Sequence, residues 1–316
     1  MKILSFGHAL PEREVANSEL VGMLDTSDEW IQSHTGIRSR HIMSGEETLS
    51  GLGERAARMA LERAGVKAHE LDYILCSTTL GEMTFPAMAC LVQARLGASC
   101  PALDLNAGCS GFLYALDMAE ALLQSGRAKK LLVVAAEQAT RLADWHDRST
   151  CVLFGDAAGA AVLEPGDDLL SLRVTAHGNP SPLHSWADSG NCPFSGPYRE
   201  GKRLTMNGQE IFMFAVSHSC QDIEQVLTQS GVTAQAVDHF VLHQANRRIL
   251  ESVRSRLKQP VEKFPMNIET HGNTSSACIP VLLSEMTADG RLQKGQTLVL
   301  SAFGAGLTTG AAVLRY

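Results

Sequence analysis

The sequence predicts an α/β fold made of two similar halves, each a sheet covered by helices. Residues 61–75 and 227–241 both read as a helix, a glycine at the helix end, a short loop and a strand. A second repeat places Cys109 and Asn273 at matching turns, each followed by a helical stretch and an apolar strand. Because both repeats occur in the same order, we infer an internal duplication.

The duplication divides the chain into residues 1–165 and residues 166–316. Cys109 belongs to the first half, whereas His243 and Asn273 belong to the second. If the halves pack about a pseudo-twofold axis, the matching strand ends converge on one pocket. The carboxyl ends of strands are where α/β sheets place their functional sites.

Composition excludes several classes of protein. The net charge of −7, without a Lys/Arg cluster, argues against nucleic-acid binding. No apolar run reaches the ~20 residues that span a membrane, and the apolar start, residues 1–7, predicts a first strand rather than a signal peptide. The eight cysteines are scattered without a CxxC pair, which disfavours a metal cage or disulfide framework and favours a reducing, cytoplasmic location.

Residues 28–38 predict a helix that continues into a loop, and this is the first segment of the chain that could contribute to ligand binding. Taken alone, Trp30 in this helix is a core aromatic residue.

Cys109 is the candidate nucleophile. It lies where the apolar residues 103–105 meet a turn of small residues that opens a helix. Backbone N–H groups in the first turn of a helix lack partners, and the helix dipole favours negative charge there. We therefore expect the Cys109 thiol to be shifted toward thiolate, its reactive form. The other cysteines are interpreted as small buried hydrophobic residues.

Residues 178–203 are rich in Gly, Pro and Ser and predict a long irregular loop. Such a loop is either a lid over a site or a tolerated surface excursion.

His243 and Asn273 complete a set of thiol, imidazole and amide with Cys109. A lone histidine is more often a core residue, but His243 follows a strand directly, at the sheet edge where sites form. The order Cys, His, Asn also occurs in papain-type proteases. Those enzymes have the cysteine near the mature N-terminus and no duplicated halves, so they do not fit. His271 is given no catalytic role.

The glycine-rich residues 301–310 do not have the GxGxxG spacing of dinucleotide-binding proteins, because the last glycine comes one position late. We expect this segment to present backbone N–H groups to an oxyanion, to form a tight turn between strands, or both.

Together these features resemble the β-ketoacyl-acyl-carrier-protein synthase III family, thiolase-fold enzymes that start type II fatty-acid synthesis. The resemblance runs from about residue 3 to the C-terminus. It is carried by seven segments in the family's order, namely residues 26–30, 35–38, 106–112, 154–160, 243–246, 271–275 and 303–306. It implies a thiolase-like five-layered αβαβα fold and a cytoplasmic homodimer.

The resemblance also implies a reaction. Cys109 takes an acyl group from acetyl-CoA or another short acyl-CoA, and malonyl-acyl-carrier protein loses CO2 and attacks the resulting thioester to give 3-oxoacyl-acyl-carrier protein. His243 and Asn273 donate hydrogen bonds to the malonyl thioester oxygen. Backbone N–H groups of Cys109 and of the turn at Ala305 hold the second oxyanion, and Phe303 gates the site. Coenzyme A is a substrate, and no cofactor or metal is implied.

Binding residues follow from the same resemblance. Trp30 and Arg148 sandwich the adenine of CoA, Gly208 and Asn246 line the pantetheine tunnel, and Phe85 reaches into the partner subunit's acyl pocket. The carrier-protein docking segment consists of Gln244, Ala245, Asn246, Arg247 and Arg248.

Two positions depart from the family pattern. His34 stands where relatives carry Arg near the CoA phosphates, and Met213 stands where they carry Lys on the docking face. Both changes remove positive charge, which fits a specialised or second-copy synthase. Two alternatives keep the fold: an acyltransferase that forms no C–C bond by decarboxylation, and a non-catalytic partner subunit. The intact donors argue against the first, and the retained Cys109 argues against the second.

Overall fold

The computed structural model describes residues 1–186 and 204–316. In chain order its strands are β1 (Lys2–Ala9), β2 (Glu14–Ala16), β3 (Ser39–His41), β4 (Tyr73–Ser77), β5 (Ala102–Leu105), β6 (Leu131–Gln138), β7 (Asp156–Glu164), β8 (Leu169–Ala176), β9 (Leu183–His184), β10 (Thr205–Met206), β11 (His239–Leu242), β12 (Thr297–Gly304) and β13 (Thr308–Arg315). Its α-helices are α1 (Asn17–Val21), α2 (Asp28–Thr35), α3 (Leu49–Ala64), α4 (Met88–Leu96), α5 (Gly111–Gln124), α6 (Gly208–Ser230), α7 (Arg247–Leu257), α8 (Ile268–His271) and α9 (Cys278–Ala288).

Two sheets with matching strand order form the frame of the molecule. The first sheet has the order β1-β7-β6-β4-β5, and the second has the order β8-β13-β12-β11. In both sheets the central hairpin partners, β6/β7 and β12/β13, are antiparallel, and the next strand, β4 or β11, joins in parallel. Apart from β5, which has no counterpart among the described strands of the second sheet, the order is the same, and this is the structural form of the duplication that the repeats predict.

Helices separate and cover these sheets. Helices α3 and α4 pack on the outer face of the first sheet, and α6 packs on the outer face of the second. Helix α5 contacts strands of both sheets, and α9 contacts β1, β7 and β11, so both lie between the sheets. Both inner helices have little polar surface, as expected for helices buried on two sides. The result is five layers in the order α, β, α, β, α.

The repeated helices begin and end by the same local chemistry. The Thr48 side chain accepts a hydrogen bond from Gly51 N at the start of α3, and the Asn207 side chain accepts one from Glu210 N at the start of α6. Both helices end at a left-handed glycine, Gly65 with φ 67° and Gly231 with φ 69°. The predicted glycine helix ends are therefore confirmed.

The predicted irregular loop at 178–203 is wrong in one part. Its described beginning contains β9, which pairs antiparallel with β10 just beyond the loop, with Leu183 opposite Met206. Both of these side chains line the cavity described below. Residues 187–203 lie outside the described residues. No described helix is long and apolar enough to cross a membrane.

Candidate active site

One cavity of about 170 Å³ holds the three residues singled out from the sequence. Cys109, His243 and Asn273 all line it, although they come from different turns of the two halves. Much of the remaining lining is apolar, including Leu142, Phe154 and other side chains from α6 and the β9–β10 hairpin. Polar interactions are strengthened in such surroundings because little water competes with them.

The thiol of Cys109 is the candidate nucleophile, and its surroundings keep it protonated. Cys109 lies directly before Ser110, the N-cap residue of α5. Burial raises the pKa of the Cys109 thiol to about 12, although a hydrogen bond from Ser275 Oγ, 3.4 Å from the sulfur, lowers it. The expected shift toward thiolate is thus wrong for this structure, because loss of water around the sulfur outweighs the helix start.

The imidazole of His243 is neutral. His243 follows β11 directly and is only 2% exposed. Burial lowers its pKa to about 3. Its Nδ1 atom lies 2.9 Å from Cys278 Sγ, and the Phe303 ring meets it edge-on with 5.1 Å between ring centroids. The ring therefore carries one proton and can donate one N–H hydrogen bond.

The carboxamide of Asn273 is oriented by its own turn. Its backbone N–H donates to Leu153 O over 2.8 Å, and its carbonyl accepts from Gly155 N over 3.1 Å. Its side-chain Oδ1 accepts from Ser275 N over 2.9 Å. Because a backbone N–H must face an acceptor, this contact fixes the amide orientation and leaves Nδ2 as a donor.

A buried carboxylate lies behind the nucleophile, and the sequence reasoning missed it. Glu137, on β6, is 1% exposed and accepts hydrogen bonds from Ser275 Oγ (3.2 Å), Ser276 Oγ (2.6 Å) and Thr79 N (3.0 Å), and also from the Thr79 hydroxyl. Burial raises its pKa, although these donors oppose the shift. The available signal was a single charged residue at the end of the otherwise apolar residues 131–136.

The glycine-rich turn between β12 and β13 lies against the backbone of the nucleophile. A Cβ atom placed on Gly304 would come within 2.5 Å of Cys109 N, and one on Gly108 would come within 2.8 Å of Ala305 N. Phe303, Gly304 and Ala305 also line the cavity. The segment is therefore both a turn between strands and a wall of the site, which brings the Cys109 and Ala305 backbones close together.

Trp30 and Arg148 meet near the chain's surface, as the resemblance implies. The Arg148 guanidinium carbon lies 5.2 Å from the centre of the Trp30 ring, and His34 stacks on Trp30 with 4.4 Å between centroids. Groups on the two faces of one base stand about 7 Å apart, because stacked planes are separated by about 3.4 Å. Insertion of an adenine between Trp30 and Arg148 thus requires the Arg148 side chain to move outward.

The docking prediction is wrong for Gln244. Its side chain is 0% exposed, donates from Nε2 to Leu242 O over 2.8 Å and accepts from Asn267 N over 3.3 Å. A carrier protein cannot reach a side chain that is enclosed in this way. Ala245 instead lines the cavity.

The rest of the predicted docking segment begins α7. Asn246 is its N-cap: Oδ1 accepts from Arg248 N over 2.9 Å, while Nδ2 donates to His34 O over 3.0 Å. Arg247 and Arg248 are exposed, and Arg247 pairs with Glu251 at 2.8 Å. Asn246 also lines the cavity, as does Gly208.

Phe85 and Met213, both named from the resemblance, also lie outside the lining of this cavity. Phe85 is 83% exposed and is not part of the cavity lining. Met213, which is 65% exposed, lines a separate open groove beside α6. Within the described residues, no group of three His, Cys, Asp or Glu side chains is arranged to hold a metal ion.

Comparison with known proteins places these features in a family. The family profile for 3-oxoacyl-[acyl-carrier-protein] synthase III matches residues 103–178, and the profile for its C-terminal part matches residues 227–316. The β-ketoacyl-[acyl-carrier-protein] synthase III of Xanthomonas campestris pv. campestris is 45% identical over 319 residues, which cover 100% of this chain and 98% of that protein.

Solved structures agree with the sequence comparisons. The 3-oxoacyl-[acyl-carrier-protein] synthase III of Aquifex aeolicus is 41% identical with a TM-score of 0.92, and the comparison covers 100% of this chain and 99% of that one. The enzyme of Thermus thermophilus is 39% identical with a TM-score of 0.94 and the same coverage. The five layers are thus those of the thiolase-like fold, and the chain belongs to the β-ketoacyl-[acyl-carrier-protein] synthase III family of condensing acyltransferases.

Proposed function

We propose that this protein condenses an acyl-CoA primer with malonyl-acyl-carrier protein to give 3-oxoacyl-acyl-carrier protein, the first condensation of type II fatty-acid synthesis. The observation that carries the proposal is the single cavity that contains one thiol and two neutral donors, Cys109, His243 and Asn273. Relatives that match this chain over its full length are named β-ketoacyl-[acyl-carrier-protein] synthase III, which supports the proposal.

The first half-reaction is acyl transfer to Cys109. The sulfur attacks the thioester carbonyl of acyl-CoA, the C–S bond to coenzyme A breaks, and the proton lost by Cys109 leaves with the CoA thiol. We propose that backbone N–H groups of Cys109 and Ala305 bind the oxyanion of the tetrahedral intermediate, which is supported by the close approach of these two stretches of backbone. We propose acetyl-CoA or another short acyl-CoA as the primer.

The second half-reaction builds the new C–C bond. The malonyl group loses CO2, and negative charge develops on its thioester oxygen, where His243 and the Asn273 amide can donate hydrogen bonds. The resulting carbanion equivalent attacks the acyl-Cys109 carbonyl, and the Cys109 thiolate leaves and takes up a proton. An acyltransferase that does not decarboxylate its substrate has less need of both donors, so the intact pair favours condensation.

The substrates reach the cavity from the surface near α2 and α7. We propose that Trp30 and Arg148 hold the adenine ring of CoA and that Gly208 and Asn246 line the path of the pantetheine arm. The exposed Arg248, with Arg247 beside it, gives an acidic carrier protein a basic contact.

We also propose a homodimer. Phe85 is 83% exposed and Met83 53%, an apolar pair that a second copy of the chain would cover. In that assembly Phe85 would reach the partner subunit's acyl pocket. The seven described cysteines are all free, which supports a reducing, cytoplasmic location.

We propose that the boundary between the two halves in the sequence lies between residues 165 and 166. The strands of the first sheet end at Glu164, and those of the second begin at Leu169, which supports this boundary.

Intact-protein mass spectrometry after treatment with acetyl-CoA tests the assignment. Wild type should gain one acetyl group, Cys109→Ala none, and Asn273→Ala one, while Asn273→Ala should lose about 100-fold in malonyl decarboxylation. Cys151→Ala is the matched control, because Cys151 is a buried thiol outside the cavity lining. Acetylation of the Cys109→Ala protein, or normal decarboxylation by Asn273→Ala, would contradict the proposal.

A further inference from the structure

Cys278, the first residue of α9, contacts the imidazole of His243 from behind. Its side chain is 2% exposed, and its sulfur lies 2.9 Å from Nδ1 of His243. The Gln244 backbone N–H donates to the same sulfur over 3.4 Å. Helix α9 follows the turn that carries Asn273, so one segment of chain supports both proposed donors of the site.

A count of protons indicates which nitrogen of His243 carries hydrogen. Burial keeps the Cys278 thiol protonated by raising its pKa far above the usual range, and burial keeps the His243 ring neutral. The thiol therefore carries one S–H hydrogen and the ring one N–H hydrogen, and each needs a hydrogen-bond acceptor. The other groups that approach the sulfur are backbone N–H donors, so Nδ1 is the acceptor available to the S–H group. A hydrogen on Nδ1 would leave the thiol hydrogen without a partner in a buried position.

We propose that Cys278 is a positioning residue that fixes His243 in its Nε2–H tautomer, so that the ring presents a donor to the malonyl thioester oxygen. This inference rests on the proposed function above. Cys278 neither gains nor loses a proton in the reaction, and it does not touch the reacting atoms. Its effect is to hold the ring, whose other nitrogen would otherwise compete for the hydrogen.

Substitutions at Cys278 separate this role from simple packing. Cys278→Ser retains a hydroxyl donor toward Nδ1, whereas Cys278→Ala removes the donor and frees the ring to carry hydrogen on either nitrogen. Cys220→Ala is the matched control, because Cys220 is also a buried helical cysteine but lies within α6 rather than on α9 beside His243. All three variants leave Cys109 intact.

The kinetic test compares the two half-reactions in single turnovers of the full-length protein. We expect Cys278→Ala to slow decarboxylation of malonyl-carrier protein by the acetyl-enzyme about tenfold, with acetylation by acetyl-CoA matching that of Cys220→Ala. Cys278→Ser should restore decarboxylation to near the wild-type rate. Decarboxylation by Cys278→Ala as fast as by Cys220→Ala would overturn the proposal.

A spectroscopic test does not depend on activity. Long-range ¹H–¹⁵N correlation of protein labelled in histidine, with His243 assigned from its loss in His243→Asn, reports which ring nitrogen is protonated. The expected result is Nε2–H in wild type and in Cys278→Ser, and Nδ1–H or a mixture in Cys278→Ala. Nδ1–H in wild type would overturn the inference. Failure of wild type to decarboxylate malonyl-carrier protein would instead overturn the proposed function, because the tautomer is read separately.

Discussion

At the scale of single residues, the site combines a protonated nucleophile with neutral donors. Burial controls all three groups: it raises the pKa of Cys109 and lowers that of His243, while Asn273 has no charge to lose. A neutral imidazole with hydrogen on the nitrogen that faces the cavity can donate to a developing oxyanion. The thiol must lose its proton as it attacks, so contacts that lower its pKa should speed acylation.

Ser275 provides such a contact. Its hydroxyl lies 3.4 Å from Cys109 Sγ and 3.2 Å from Glu137, and its single proton can serve only one of them at a time. Because this hydrogen bond lowers the thiol pKa, Ser275→Ala should slow acylation by acetyl-CoA about fivefold, the value of one hydrogen bond of about 1 kcal/mol. The profile of acylation rate against pH should move to higher pH.

The neighbouring Ser276 is the matched control for this change. It donates to Glu137 over 2.6 Å, but its contacts do not include the Cys109 sulfur. Stopped-flow acylation of Ser276→Ala should show an unshifted pH profile. An equal shift in both variants would mean that Glu137, rather than the contact to sulfur, sets the rate.

The trio of Cys109, His243 and Asn273 could be chosen from the sequence because each follows a strand or opens a helix at a turn. Glu137 and Cys278 could not. Glu137 contacts Ser275, 138 positions away in the other half, and Cys278 contacts His243, 35 positions away in its own half. Both contacts exist only in the folded chain. The predicted shift of the Cys109 thiol toward thiolate was wrong for the same reason. A helix start can be recognised in a sequence, but the burial of one side chain cannot.

At the scale of elements, the site depends on how closely the β12–β13 turn approaches the nucleophile. The strand patterns and glycine helix ends of the duplicated halves predicted most elements around it. The direction of side chains within one turn was harder to predict: Gln244 points inward and Arg247 outward, although only two residues separate them. The β9–β10 pairing was missed because each of these strands pairs over only two residues, and the segment between them shows no periodic hydrophobic pattern.

Gly304 tests the close approach of this turn. A Cβ at this position would lie 2.5 Å from Cys109 N and 3.0 Å from Ser110 N, so Gly304→Ala must push the turn away from the nucleophile. We expect a loss of about 1–3 kcal/mol in the free energy of unfolding and at least about a tenfold loss in kcat. Urea unfolding and steady-state condensation assays measure the two effects.

Gly178→Ala is the corresponding control, because a Cβ there has no described atom within 4 Å and its φ lies outside the left-handed region. It should leave both unfolding and kcat near wild type. Wild-type kcat in Gly304→Ala would mean that the turn's position is not important for catalysis.

At the scale of the whole molecule, charge is distributed unevenly. The chain carries a net charge of −7, yet the start of α7 presents Arg247 and Arg248 together. An acidic carrier protein would be repelled by most of this surface and attracted to that one face. The departures at His34 and Met213 leave fewer basic groups around the site, so each remaining one should matter more.

Arg248→Glu tests this local attraction. The expected result is a rise of about fivefold in KM for malonyl-carrier protein, with KM for acetyl-CoA nearly unchanged. The rise should shrink at high ionic strength, because exposed charges are screened beyond about 8 Å at physiological salt. Lys67→Glu is the control, because it reverses the charge of an exposed side chain within the first half's repeat, residues 61–75. An equal rise in that variant would indicate a general effect of net charge.

An ion pair links α8, just before Asn273, to α9 and gives stability a pH dependence. His271 Nε2 lies 2.5 Å from Glu285 Oε1. Burial lowers the pKa of His271, but the hydrogen bond and charge of Glu285 raise it more, so the pKa is raised overall. Its stabilisation is therefore complete below the ordinary pKa of about 6.5 and is lost as pH rises through the raised value.

His271→Gln should accordingly destabilise the protein more at pH 6 than at pH 9. We expect a difference of about 1 kcal/mol between the two pH values in the loss of unfolding free energy. Urea unfolding at both pH values measures it, with His69→Gln, an exposed histidine on the first half's repeat, as control. A loss independent of pH would mean that His271 stabilises by packing alone.

The matching turns at Cys109 and Asn273 have one more consequence. An ancestor assembled from two identical chains would have carried the same residue at both places, because symmetry leaves no choice. Once the copies were joined in one polypeptide, one turn could carry a nucleophile and the other a hydrogen-bond donor. Two different groups at these matching turns are possible here because both turns belong to one polypeptide.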